Sequence, residues 1–184
     1  MSRVKKAAVL KLFLKILPVI ALLSVVACNE YHSDQNIEIK EDGLIYKAGQ
    51  DNPYTGRVID TLENKIIEYD VVKGLKNGEF RITSLEGIVS VLGNIRDNRN
   101  IGEWHYYYPN GQLESEGNFK NDMPHGKWTW YYSNGNIKEK GSFLNGLKIG
   151  DWYQYTFKGK VISILTYNNG ELVNEVKFSL SKDV

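Results

Sequence analysis

Aromatic, aliphatic and glycine positions recur at a step of 24 residues between Gly102 and Val173. Gly102, Gly126 and Gly150 are followed two residues later by Trp104, Trp128 and Trp152. Tyr107, Tyr131 and Tyr155 keep the step, as do Gly111, Gly135 and Gly159, then Leu113, Ile137 and Val161, then Phe119, Phe143 and Tyr167. A fixed period of this length identifies a repeat array. Within each unit, large and polar residues alternate with the period of a strand, and a turn signal interrupts the alternation. Asn110-Gly111 and Asn134-Gly135 are strong two-residue hairpin signals, and Lys158-Gly159 is a weaker one. The pattern predicts an all-β chain: an elongated, twisted antiparallel meander of repeated β-hairpins.

A two-residue turn at Asn110-Gly111 dictates which residues face each other. Trp104 then lies opposite Gly117, Gly102 opposite Phe119, and Tyr108 opposite Leu113. The same reasoning sets Trp128 opposite Gly141 and Phe80 opposite Gly93. Within a hairpin, an aromatic ring is thereby expected to cover a bare glycine backbone. The last copy breaks this rule, since Trp152 faces Leu165. The register also sorts the faces. Trp104, Tyr106, Tyr108, Leu113 and Phe119 fall on one side, and Glu103, His105, Tyr107, Glu114, Glu116 and Asn118 on the other, joined in the next copy by Lys127, Lys138 and Lys140. Because 24 is even, successive copies keep the same face outward. Ile162 and Ile164 fall on the nominally polar side of the last copy, which predicts local burial there beneath a C-terminal strand.

The periodicity extends upstream. Gly78, Phe80, Gly87, Val89 and Ile95 stand for Gly102, Trp104, Gly111, Leu113 and Phe119, so Gly78–Ile101 is a further copy. Gly56–Asn77 is a shorter, degenerate one of 22 residues. Leu44–Lys47 is predicted as an entering strand and Val173–Leu180 as a closing strand, so the folded part spans residues 43–184. Seventeen glycines, four prolines, twelve tyrosines and four tryptophans suit short strands and tight turns.

The first 27 residues have a different composition. Arg3, Lys5, Lys6, Lys11 and Lys15 precede a charge-free, mostly apolar run, Ile16–Ala27. At 12 residues it is too short to span a bilayer and reads as a signal-peptide core. Val25-Val26-Ala27 then leads to Cys28, the only cysteine, and resembles a bacterial lipobox. That resemblance implies cleavage before Cys28 and lipidation of its thiol and new amino group. An ordinary signal peptide or an uncleaved anchor is the alternative. Cleavage leaves 157 residues with 18 basic and 22 acidic side chains. A net charge of about −4 argues against a polybasic nucleic-acid binder. Residues 28–42 read as a polar tether carrying His32. Asn29, in place of aspartate after the cysteine, favours the outer membrane by resemblance to lipoprotein sorting in enteric bacteria.

The run Gly126-Lys127-Trp128-Thr129-Trp130-Tyr131-Tyr132-Ser133-Asn134-Gly135 resembles the bacterial MORN-repeat variant family. Met123-Pro124-His125-Gly126 and Asn145-Gly146 with Gly150 resemble its links between copies, and Pro53-Tyr54-Thr55-Gly56 resembles its lead-in. The resemblance covers residues 43–173 and implies a β-hairpin array. Its functional content is small: one group is described as YwqK-type antitoxins, and many members are lipoproteins of unspecified role.

Two functional classes remain open. One is a membrane-anchored, non-catalytic interaction module whose partner is another protein of the envelope, a glycan or a lipid surface. The other is an antitoxin or immunity protein that neutralises a toxin. Framework positions (Gly102, Trp104, Gly111, Gly117, Gly126, Trp128, Gly135, Gly141, Gly150 and Trp152) read as structure. Positions that differ between copies are the candidates for partner contact: His105, Tyr106, Glu114, Glu116, Trp130, Lys138, Lys140, Tyr153 and Gln154. An enzyme, including a carbohydrate-acting one, is the least favoured class. Glu103, Glu114, Glu116 and Asp151 each occupy ordinary strand-alternation positions, and there is no nucleophile elbow or phosphate loop. No cofactor is expected. No metal is expected either, because neither His105 nor His125 has a His or Cys partner at ligand spacing.

Overall fold

A computed structural model describes residues 36–179. The signal run, Cys28 and His32 lie outside them. The described residues form thirteen strands and no helix. Strands β1 (Ile37–Ile39) and β2 (Ile45–Lys47) make a small two-stranded sheet. The other eleven form one antiparallel sheet in which every strand lies beside its sequence neighbours: β3 (Gly56–Leu62), β4 (Lys65–Val72), β5 (Leu75–Ser84), β6 (Val89–Arg96), β7 (Arg99–Tyr107), β8 (Leu113–Lys120), β9 (Met123–Tyr131), β10 (Ile137–Leu144), β11 (Leu147–Tyr155), β12 (Val161–Asn168) and β13 (Glu171–Lys177). The predicted meander of hairpins is therefore present.

Part of the expected tether is folded. Ile37 pairs with Lys47 and Ile39 with Ile45. Tyr46 donates a 2.6 Å hydrogen bond to Asp42, and the Leu44 amide donates to the same carboxylate. These two bonds hold the Asp42 carboxyl below its ordinary pKa. The C-terminal strand also differs from expectation. β13 lies beside β12 as the sheet's edge, not over its polar side.

The turns are of two kinds. Asn110-Gly111 is not a two-residue turn. The Gly111 amide donates to Tyr108 O, and the Tyr108 amide donates to Gln112 O, which closes a three-residue loop with Gly111 at φ 80°. The same pair of bonds closes Ser84–Ile88, Tyr132–Asn136 and Thr156–Lys160. A three-residue loop shifts the pairing by one residue, and one extra residue in the returning strand restores it. In β8 that residue is Glu114, since Tyr106 faces Ser115 while Tyr107 faces Leu113. Leu113 thus sits opposite Tyr107, not Tyr108, and Glu114 occupies a bulge. Lys138 and Ile162 are the corresponding bulge residues. Because loop and bulge offset one another, Trp104 still faces Gly117 and Gly102 still faces Phe119.

The two-residue turns with positive φ lie at the opposite end, between copies: Asp97-Asn98, Asn121-Asp122, Asn145-Gly146 and Asn169-Gly170. The shorter copy uses such a turn, Glu63-Asn64, where the others use a loop, and its β3–β4 pairing runs without a bulge. One loop residue and one bulge residue fewer account for its 22 residues. Each link turn also docks on the start of the strand that leaves the turn before it: the Asn98, Asp122, Gly146 and Gly170 amides donate to the carbonyls of Lys76, Asn100, Pro124 and Lys148. At the loop end, Tyr108 Oη donates to Tyr131 O and Tyr132 Oη to Tyr155 O.

The tryptophans cover glycines, but not those of their own hairpins. A Cβ on Gly93 would lie 2.2 Å from Trp104, one on Gly117 2.1 Å from Trp128, and one on Gly141 2.2 Å from Trp152. Each ring rests on the glycine of the preceding copy, eleven residues upstream. A two-residue bulge sets this up. Gly117 pairs with Trp128 but Asn118 pairs with His125, leaving Gly126 and Lys127 unmatched, with Gly126 at φ 75°. Bulges bend the strand and redirect its side chains. Leu165 is then no exception, because no tryptophan follows it; its partner in β13 is Glu175.

The rings join into one file across the sheet. Phe80 and Trp104 have centroids 5.6 Å apart, Phe119 and Trp128 5.2 Å, Trp130 and Trp152 5.7 Å, and Phe143 and Trp152 4.9 Å. Trp104, Trp128 and Trp152 are at most 2% exposed. Trp104 Nε1 donates to Asn94 O and Ile101 O, and Trp128 Nε1 to Asn118 O. Near the far end, Lys148 Nζ lies 3.6 Å from the Trp152 ring and 2.9 Å from Glu139.

A methyl at Gly117 cannot coexist with the Trp128 ring. Gly117→Ala should cost roughly 1–3 kcal/mol as overpacking, and Trp128→Ala about 3–5 kcal/mol as a cavity. Lys138→Ala should change stability by less than about 0.5 kcal/mol. Denaturant midpoints of the three variants check this; equal midpoints for Gly117→Ala and Lys138→Ala would refute the placement of the ring.

Candidate functional site

The face opposite the rings carries one continuous row. Following the strand pairs from β5 to β12, Arg81 faces Leu92, Leu92 faces His105, His105 faces Glu116, and Glu116 faces Thr129. Lys140 then faces both Thr129 and Tyr153, and Tyr153 faces Ile164. Strand alternation puts all of these on the side away from Trp104, Trp128 and Trp152. The pairing is the same in every copy, but the residue types are not, so the row changes character along the sheet.

Its second-copy section is acidic. Glu103 and Glu116 flank His105, with carboxylate oxygens 3.7 Å from Nε2 in each case. Tyr131 Oη donates a 2.7 Å bond to Glu116 Oε1. Burial first, and this bond second, push the Tyr131 phenol up to about 12. The His105 ring lies 6.4 Å from Tyr107, nearly parallel to it. The third-copy section is basic: Lys127 and Lys140 take the positions of Glu103 and Glu116. Lys140 Nζ sits between the Tyr153 and Tyr155 rings, 5.7 and 5.6 Å from their centroids. The fourth is aromatic and aliphatic, with Tyr153, Tyr155 and the half-buried Ile164 beside Asp151, which accepts a bond from Thr166 Oγ1.

The candidate contact residues separate into three groups. His105, Glu116, Lys140 and Tyr153 share the polar row. Glu114 and Lys138 are exposed bulge residues near the loop end. Tyr106, Trp130 and Gln154 fall on the ring face. Tyr106 is 9% exposed and packs against Trp104 and Trp128. Trp130 lies between Trp128 and Trp152, and Gln154 accepts a bond from Ser163. These three differ between copies although all lie on the ring face. Glu103 and Tyr131, absent from the expected contact set, belong with His105. Two signals point to them: Glu-x-His on one strand places both side chains on one face, and the hairpin register brings Glu116 opposite.

The Tyr131 phenol has a testable consequence. Its folded pKa is raised above the ordinary value near 10, so the stability it contributes is present below pH 10 and is lost as pH rises through about 12. Tyr131→Phe should therefore flatten the fall in stability across that window, read from unfolding midpoints at successive pH values; an unchanged slope would remove the Glu116 bond from the account.

No curated protein matches the chain. Residues 101–121, 124–145 and 148–169 match the MORN repeat variant family. Each matched segment ends on the first residue of a link turn and takes in one three-residue loop and one of the glycine-covering rings Trp104, Trp128 and Trp152. The β5–β6 hairpin repeats the loop, bulge and pairing upstream of the matched segments. Three successive segments between residues 101 and 169 are thus similar to the MORN repeat variant family, and they lie side by side in one sheet.

Proposed function

We propose that this chain is a lipid-anchored, non-catalytic binding module of the bacterial cell envelope, and that its polar row is the surface a partner protein reads. One observation supports this above all. The repeat framework keeps loops and bulges constant, while the half-buried row on the opposite face runs from acidic to basic to aromatic. A rigid sheet bearing different chemistry at each strand suits an extended partner that meets several sections at once. Tyr153 and Tyr155 add broad contact area, and Lys140 and Glu116 add charge selection.

Lipidation at Cys28 would hold the module at a membrane, with a tether shorter than 28–42 because residues 37–42 are folded. An outer-membrane position agrees with Asn29. An antitoxin role is the second reading, and the acidic excess of the chain from Cys28 onward favours it if the toxin is basic.

Cys28→Ser should move the protein from the membrane to the soluble fraction, with an unmodified N-terminus by mass spectrometry. Retention at the membrane would sink the anchor. Affinity capture of the anchored protein, compared with a Lys140→Glu/Tyr153→Ala variant of equal melting temperature, tests the row. A partner retained by both proteins equally would place recognition elsewhere. Protection of a sensitive cell from a co-expressed toxin would favour the antitoxin reading.

A further inference from the structure

We infer that Glu103, His105 and Glu116 form a binding site for a divalent transition-metal ion of the zinc type. The three side chains come from β7 and β8, and one ligand atom from each lies within 4.8 Å of the others. The two His105 Nε2–carboxylate separations are 3.7 Å. Zinc bonds of about 2.0–2.1 Å in a tetrahedron separate ligand atoms by roughly 3.3 Å, so closing on an ion needs only modest side-chain adjustment. Imidazole nitrogen with carboxylate oxygens suits zinc, nickel or copper and discriminates against magnesium, which favours an all-oxygen shell.

The surroundings are those of a supported site, not of a casual charge cluster. Glu116 uses its two oxygens differently: Oε1 accepts from Tyr131 Oη at 2.7 Å, while Oε2 is the atom turned to His105. A hydrogen bond on the non-ligating oxygen is the second-shell arrangement that orients a metal-binding carboxylate. Tyr107 flanks the imidazole. Among the described residues no lysine or arginine pairs with Glu103 or Glu116. The repeat framework does not demand the trio either. The corresponding residues are Glu79, Arg81 and Leu92 in the first copy, Lys127, Thr129 and Lys140 in the third, and Asp151, Tyr153 and Ile164 in the fourth. All three hairpins fold with the same pairing. Glu103 is 63% exposed, so a fourth coordination position would face outward, open to water or to a donor atom from a partner.

The test is calorimetric titration of zinc ion into the untagged full-length protein, in a Cys28→Ser background so that no thiol competes. One zinc per chain should bind, and magnesium should not. His105→Ala and Glu116→Gln should each weaken binding at least tenfold. Tyr131→Phe, which touches no ion, should weaken it about tenfold through the orientation of Glu116. Glu79→Gln, the same repeat position as Glu103 in a copy without histidine, should leave it unchanged. Melting temperatures without metal establish that each variant is folded. The site is overturned if zinc fails to bind below about 1 mM, if it binds folded His105→Ala and Glu116→Gln as well as the parent, or if magnesium binds equally well.

Discussion

The resting of Trp104, Trp128 and Trp152 on the glycine of the preceding copy is the contact on which the sheet depends. A single-layer sheet has no second layer to bury its apolar side. Here the rings bury one another: Trp128 covers Gly117, touches Phe119 and Phe143 edge-on, and stacks on Trp130. Because the covering ring and the covered glycine belong to different copies, the contact joins hairpins instead of closing one. Stability is therefore shared between neighbours, as in other repeat arrays. The two-residue bulge at Gly126 and Lys127 makes the geometry feasible, and its cost in lost pairing is offset by a ring that is almost wholly buried.

The same constraint divides the two faces by role. Tyr106, Trp130 and Gln154 differ between copies but lie on the ring face, where Tyr106 and Trp130 pack against the tryptophan rings. Across the sheet, the row through His105, Glu116, Lys140 and Tyr153 carries no such duty. An array of this kind can therefore hold its framework constant and change its surface chemistry strand by strand. The acidic section with His105 and the basic section around Lys140 are adjacent yet distinct in kind, one offering ligand atoms and the other cation–aromatic contacts.

Much of this was readable in advance, and the errors share a cause. The period, the meander, the opposition of Trp104 to Gly117 and the placement of His105 with Glu103 and Glu116 all follow from strand alternation and the 24-residue step. The turn types did not follow. Asn110-Gly111 has the composition of a two-residue turn, but the loop closes through Tyr108 and Gln112, and the bulge at Glu114 restores the register. The two shifts compensate, so they displace Leu113 to face Tyr107 and leave Trp104 opposite Gly117. The covering partner was similarly ambiguous, since Gly117 faces Trp104 on one side and Trp128 on the other. The spacing of eleven residues from Gly93, Gly117 and Gly141 to Trp104, Trp128 and Trp152 holds in all three cases and was the better signal.

By itself, the sequence determined the repeat, the all-β class and the alternation of faces, because these depend on local periodicity and composition. Tertiary structure decided which copy's ring covers which glycine, which turn sits at which end, and which varying residues touch the rings. Those outcomes depend on bulges and on contacts across strand boundaries, where a ring's direction is set by its neighbour's backbone and not by its own position in the chain.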